Sequence, residues 1–157
     1  MRRMRVLVLM HKDLVPPEQL NGQELETAAW RTEYDVVSTL RKLGHDVQAL
    51  GVKSDLEVIR AAVEDWKPHI AFNLLEEFDG MAVYDQNVVS YLELMRIPYT
   101  GCNPRGLMLA RDKALAKQVM SYHRIPYPEF MVVPLHRMVR RPKYLPFPLI
   151  VKSITEE

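Results

Sequence analysis

Val6-Leu7-Val8-Leu9-Met10 decides how the rest of this chain is read. A strand with one wet face alternates apolar and polar residues. An unbroken apolar run of this length fits a strand buried on both faces, the habit of parallel sheets. The residues before it, Met1-Arg2-Arg3-Met4-Arg5, imitate the basic start of a secretory signal. The apolar run is too short for such a signal and passes into His11-Lys12-Asp13.

Working outward, strand and helix signals alternate. Trp30, Tyr34, Val37 and Leu40 recur at helical spacing, with Arg31, Glu33, Arg41 and Lys42 assigned to other faces and Gly44 as the stop. Asp46 to Leu50 reads as a second strand. Leu56, Ile59, Val63 and Trp66 form a second amphipathic helix, closed by Pro68. His69 to Leu74 is a third strand, Val83 to Arg96 a helix with Val88, Leu92 and Met95 as its buried stripe, and Pro98-Tyr99-Thr100 a short fourth strand. Short connections between alternating elements predict an α/β unit with a parallel sheet and right-handed crossovers. Ligands of such sheets bind beyond the carboxyl ends of the strands, here from His11, Gly51, Leu75 and Gly101 onward.

The pattern changes after residue 105. A helix is expected from about Asp112 to His123, a strand over Glu129 to Val133, a Pro- and Arg-rich connection over Pro134 to Pro146, and a strand over Phe147 to Lys152. Two strands and one helix bury too little to stand alone. The expectation is one domain over residues 1–105 and the incomplete start of a second over 106–157, with apolar strand edges left open to dimerisation or aggregation.

Composition narrows the function classes. Hydrophobic residues make up 48% of the 157, enough for a real core. The net charge of +1 argues against a general nucleic-acid binder, which needs a basic excess. No run approaches membrane-spanning length. The one cysteine, Cys102, rules out an internal disulfide and fits a reducing, cytoplasmic compartment. It has no histidine beside it, so a nucleophile role has little support. Neither metal-ligand spacing nor a phosphate loop of the Gly-Lys-Ser kind is present.

Two lysines stand out. Lys113 opens a helix whose N-cap is Asp112, where the macrodipole disfavours a cation by about 0.3–1 kcal/mol. Lys152 ends an apolar run, Pro148-Leu149-Ile150-Val151. Each reads either as an ordinary solvated lysine or as the partner of an anion; a nucleotide polyphosphate would satisfy both. Ser153 and Thr155 then begin a candidate phosphate-covering loop. Glu76, Glu77 and Asp79 follow the third strand on the ligand side and suit a substrate amine, or else form a solvated turn at Asp79-Gly80. His11 follows the first strand on the same side; Glu18, Glu24 and Glu26 share the long loop after it. Asp85 reads as dipole compensation, and the basic group His136, Arg137, Arg140, Arg141 and Lys143 as a solvated hairpin face.

With these residues in hand, the chain resembles the D-alanine–D-alanine ligase group of the ATP-grasp superfamily. The likeness lies in an ordered set from Phe72 to Lys152: Tyr91-Leu92-Glu93-Leu94, Ile97-Pro98-Tyr99-Thr100-Gly101, Asp112-Lys113 with Lys117, Arg124-Ile125-Pro126-Tyr127-Pro128, and Pro148-Leu149-Ile150-Val151-Lys152. The first seventy residues match only as a generic Rossmann-like pre-ATP-grasp domain. The resemblance implies a carboxylate–amine ligase that works through an acyl phosphate with ATP and Mg²⁺, on a small carboxylate and an amine. It implies that Lys113 and Lys152 contact the nucleotide phosphates, and that the first domain serves dimerisation. The chain departs from the family after the first strand, where His11-Lys12-Asp13-Leu14-Val15-Pro16-Pro17 replaces a Gly-rich Ser/Glu motif. It departs again after the third, where Asn73-Leu74-Leu75-Glu76-Glu77-Phe78-Asp79-Gly80 lacks the family's histidine. These departures favour a substrate other than D-alanine. The adenine-binding strand and the metal ligands would lie beyond Glu157, so this chain alone is expected to be inactive. The competing reading is a non-catalytic α/β module that binds a nucleotide or a partner protein through the same strand ends.

Overall fold

The structure is a computed structural model and describes residues 2–17 and 27–154. Three parallel strands, β1 (Arg5–His11), β2 (Asp46–Val52) and β3 (Ile70–Asn73), lie in the order β2-β1-β3. Five α-helices accompany them among the described residues: α1 (Arg31–Lys42), α2 (Glu57–Trp66), α3 (Asp85–Leu94), α4 (Pro104–Arg111) and α5 (Lys113–Tyr122).

The apolar run of β1 sits in the middle of the sheet, and Val6 to Met10 are all buried. Successive side chains point to opposite faces. Leu7 and Leu9 pack with Ile59 and Val63 of α2 and Val88 and Leu92 of α3, whereas Val6, Val8 and Met10 pack with Val37 of α1. Both faces of the central strand are therefore dry, as the unbroken run requires. Truncating Leu9 to Ala at such a site costs about 2–5 kcal/mol.

The helix ends follow local chemistry. Gly44 (φ 85°) closes α1, donating to Arg41 O at 2.9 Å, while His45 N–H reaches Leu40 O at 3.2 Å. These two bonds satisfy carbonyls that the last turn leaves open. Lys67 (φ 51°), Arg96 (φ 58°) and Arg124 (φ 57°) take the same left-handed position after α2, α3 and α5 without being glycine.

The expected fourth strand is reduced to one parallel bridge, Ala71 to Tyr99. Ala71 N–H donates to Pro98 O at 2.8 Å and Thr100 N–H to Ala71 O at 3.0 Å. Pro98 has no N–H to extend the ladder. At the next step the Thr100 hydroxyl, not a carbonyl, accepts from Asn73 N–H at 3.0 Å.

The expected strands over Glu129 to Val133 and Phe147 to Lys152 do not form, nor does a hairpin between them. A strand needs a partner for its N–H and C=O groups, and the described residues offer none there. The segment stays irregular, with Leu135, Met138, Ile150 and Val151 more than four-fifths exposed. Arg141 ties it locally, donating to Leu145 O at 2.5 Å and stacking 5.1 Å above the Phe147 ring. α4 was not expected from the sequence. Asn103 caps it by accepting from Gly106 N–H at 2.8 Å, and Pro104 supplies its first turn.

Candidate functional site

A cleft of about 860 Å³ opens at the carboxyl ends of β1 and β3, where the topology of a parallel sheet places ligands. His11 enters from the end of β1, Thr32 and Glu33 from the first turn of α1, Glu76 and Glu77 from the loop after β3, and Arg111 from the end of α4.

His11 Nδ1 accepts from Asp13 N–H at 3.2 Å, so the ring proton belongs on Nε2, 3.3 Å from Glu77 Oε1. In that tautomer the 3.7 Å approach of Nδ1 to Asp13 Oδ2 is not an ion pair. Arg111 donates through Nε and Nη2 to Asp85 Oδ2 at 3.0 and 2.9 Å, and through Nη2 to Glu76 O at 2.6 Å. The guanidinium thus ties the loop after β3 to the start of α3. Glu33 is only 6% exposed, and its Oε2 has no hydrogen-bond partner among the described residues.

Of the four residues expected on this side, His11, Glu76 and Glu77 come together and Asp79 stands apart. Asp79 (φ 55°) and Gly80 (φ 72°) form a tight turn closed by paired bonds between Phe78 and Met81. Positive φ at both central residues is what a type I′ turn requires. Asp79 spends its N–H on Lys53 O at 2.7 Å and its side chain is exposed.

Glu33, Asp85 and Arg111 were missed. Glu33 lies three residues after Trp30 and four before Val37, which places it on the buried stripe of α1 rather than the polar faces assigned to it. Asp85 lies three before Val88 and is 3% exposed, so it faces inward beside Arg111. Helical spacing carried both signals.

The start of α5 is the second element. Asp112 Oδ1 accepts from Ala114 N–H at 3.0 Å and Leu115 N–H at 2.8 Å. The cap uses donors that an uncapped helix would present to an anion, leaving lysine charge as the main attraction there. Lys113 N–H donates to Ile154 O at 3.3 Å, and its ammonium lies 3.5 Å from the same oxygen. The segment carrying Lys152 and Ser153 is thereby drawn onto the first turn of α5, with Lys152 exposed. Thr155, Glu18, Glu24 and Glu26 lie outside the described residues. Among the described residues no three His, Cys, Asp or Glu side chains converge as a metal site.

No protein-family profile matches the chain. Individual proteins do. It is 33% identical over 121 residues to a D-alanine–D-alanine ligase of Acidiphilium cryptum, covering 77% of this chain and 38% of that protein. It is 30% identical over 138 residues to the D-alanine–D-alanine ligase of Oleidesulfovibrio alaskensis, covering 82% and 43%. Over about four-fifths of its length the chain is similar to D-alanine–D-alanine ligases. The fold agrees: the crystal structure of a D-alanine–D-alanine ligase from Bacillus anthracis complexed with ATP superposes with a TM-score of 0.63 at 19% identity, over 90% of this chain and 43% of that one. The chain thus spans about two-fifths of the ligases it matches. No helix among the described residues is long and apolar enough to cross a membrane.

Proposed function

We propose that this chain forms the first part of an ATP-dependent carboxylate–amine ligase. It supplies the amino-acid side of the site through the cleft at the ends of β1 and β3, and one edge of the nucleotide site through α5. The observation that carries the reading is the 33% identity to a D-alanine–D-alanine ligase over 121 residues, with a parallel sheet whose strand ends open into a cleft lined by carboxylates. When bound, ATP converts the substrate carboxylate into an acyl phosphate that an amine then attacks. The chain's own residues bind and position. Lys113 and Lys152 neutralise phosphate charge, Ser153 donates to a phosphate oxygen, and Glu76, Glu77 and His11 orient the amino-acid substrate. Positioning and charge neutralisation are the main contributions that phosphoryl transfer asks of a protein. Cytoplasmic location and dimerisation through the first unit belong to the same proposal.

The test is phosphate release from ATP by a chain extended past Glu157 in its own reading frame, with a panel of amino acids. Turnover with one of them, reduced by Lys113→Ala and by Lys152→Ala, is the expected result. Turnover by the 157-residue chain alone is not expected. Nucleotide affinity untouched by either substitution would favour the partner-binding module.

A further inference from the structure

The charges lining the cleft do not balance. Among the described residues, Glu33, Glu76 and Glu77 contribute three carboxylates against one permanent cation, Arg111, and that guanidinium is already bonded to Asp85 and to Glu76 O. His11 directs its Nε2 at Glu77. Glu33 is the sharpest case, 6% exposed with Oε2 unpartnered among the described residues. A place in the first turn of α1 favours an acid through the macrodipole, more strongly where the group is partly buried, but it gives Oε2 no hydrogen bond. Removing an unpaired carboxylate from water is costly, and a bound cation would offset that cost. A divalent metal fits poorly, since no three ligating side chains converge among the described residues. An ammonium needs only one or two acceptors.

We infer that the cleft selects a ligand of net positive charge, an amino acid carrying a second, side-chain ammonium, and that Glu33 holds that ammonium as a specificity-determining residue. A zwitterion such as alanine adds one charge of each sign and leaves the imbalance as it stands. A basic amino acid offsets it. The volume of about 860 Å³ accommodates the longer side chain. The inference rests on the ligase reading only in taking the ligand to be an amino acid.

The experiment is an NMR titration of the 157-residue chain, without ATP, with lysine and with norleucine, each as D and L forms. Norleucine keeps the carbon skeleton and lacks the side-chain ammonium. Lysine of one hand should bind at least about tenfold more tightly than its norleucine counterpart, equivalent to about 1.4 kcal/mol. Glu33→Gln should bring lysine to the norleucine level. Equal affinities, no binding of lysine, or an unchanged preference in Glu33→Gln would each overturn the inference. A melting temperature that holds or rises in Glu33→Gln is expected, because a buried unpaired charge is removed. A marked fall would assign Glu33 a structural role and overturn the inference as well. Failure of ATP turnover in the extended chain, with the lysine preference intact, would count against the ligase reading alone.

Discussion

Arg111, the last residue of α4, and Asp85, the first of α3, are joined by two hydrogen bonds onto one oxygen, at 2.9 and 3.0 Å. The Asp85 side chain is 4% exposed and that of Arg111 15%, so the pair is shielded from solvent. The same guanidinium holds Glu76 O at 2.6 Å. One side chain therefore fixes the packing of α4 on α3 and the course of the loop that lines the cleft. Arg111→Ala leaves Asp85 buried without its partner, which costs about 3–5 kcal/mol. Denaturant unfolding should show that loss in the midpoint. Arg111→Lys should recover only part of it, because an ammonium cannot reproduce the forked donation to Asp85 and Glu76 together.

Asp112 makes a smaller and separable contribution. Its carboxylate takes the N–H groups of Ala114 and Leu115, so Asp112→Ala should cost about 1 kcal/mol, and Asp112→Asn much less, since the amide oxygen still caps. The same substitution frees two donors at the helix start. In a chain extended past Glu157, nucleotide affinity should fall less than stability does if phosphate binds beside this turn.

Much of the first unit was legible because its signals are local and redundant. The run of β1, the stripes of α1, α2 and α3, and the stop at Gly44 each reappear as expected. α4 starts at the Asn103-Pro104 helix signature but buries none of its eight residues, so it carries no apolar stripe that periodicity could reveal. The strands after residue 128 were misread for a different reason: apolar character shows that a segment can be a strand, while pairing depends on residues elsewhere. In the cleft, His11, Glu76 and Glu77 were found by their position after strands. Glu33 and Asp85 were not, because charged side chains on an apolar stripe were placed on the polar face by their chemistry rather than by their spacing.

Tyr99 should titrate late. Its hydroxyl donates to Glu93 Oε1 at 2.6 Å. That bond, then burial and the Glu93 charge, push the phenol up to about 12 from 10.0. A group whose folded value is raised contributes stability fully below pH 10 and loses it as pH rises toward 12. Absorbance at alkaline pH should show one of the seven tyrosines ionising after the bulk while the chain is still folded. Tyr99→Phe should remove that late step, and Glu93→Gln should move it earlier.

The exposed apolar residues after α5 set the last expectation. Leu135, Met138, Ile150 and Val151 are 83–96% exposed in a segment without regular structure. Exposed apolar side chains in such number favour association, and backbone groups without strand partners add a route to edge pairing. Sedimentation of the 157-residue chain should show mass rising with concentration. Replacing Ile150 and Val151 with Lys should suppress that rise without lowering the melting temperature, because neither side chain is buried in the core. A stable monomer at high concentration would show that this segment is too mobile or too well solvated to associate. Association that survives the double substitution would move the contact to the first unit, where the α/β surface rather than the tail would hold two copies together.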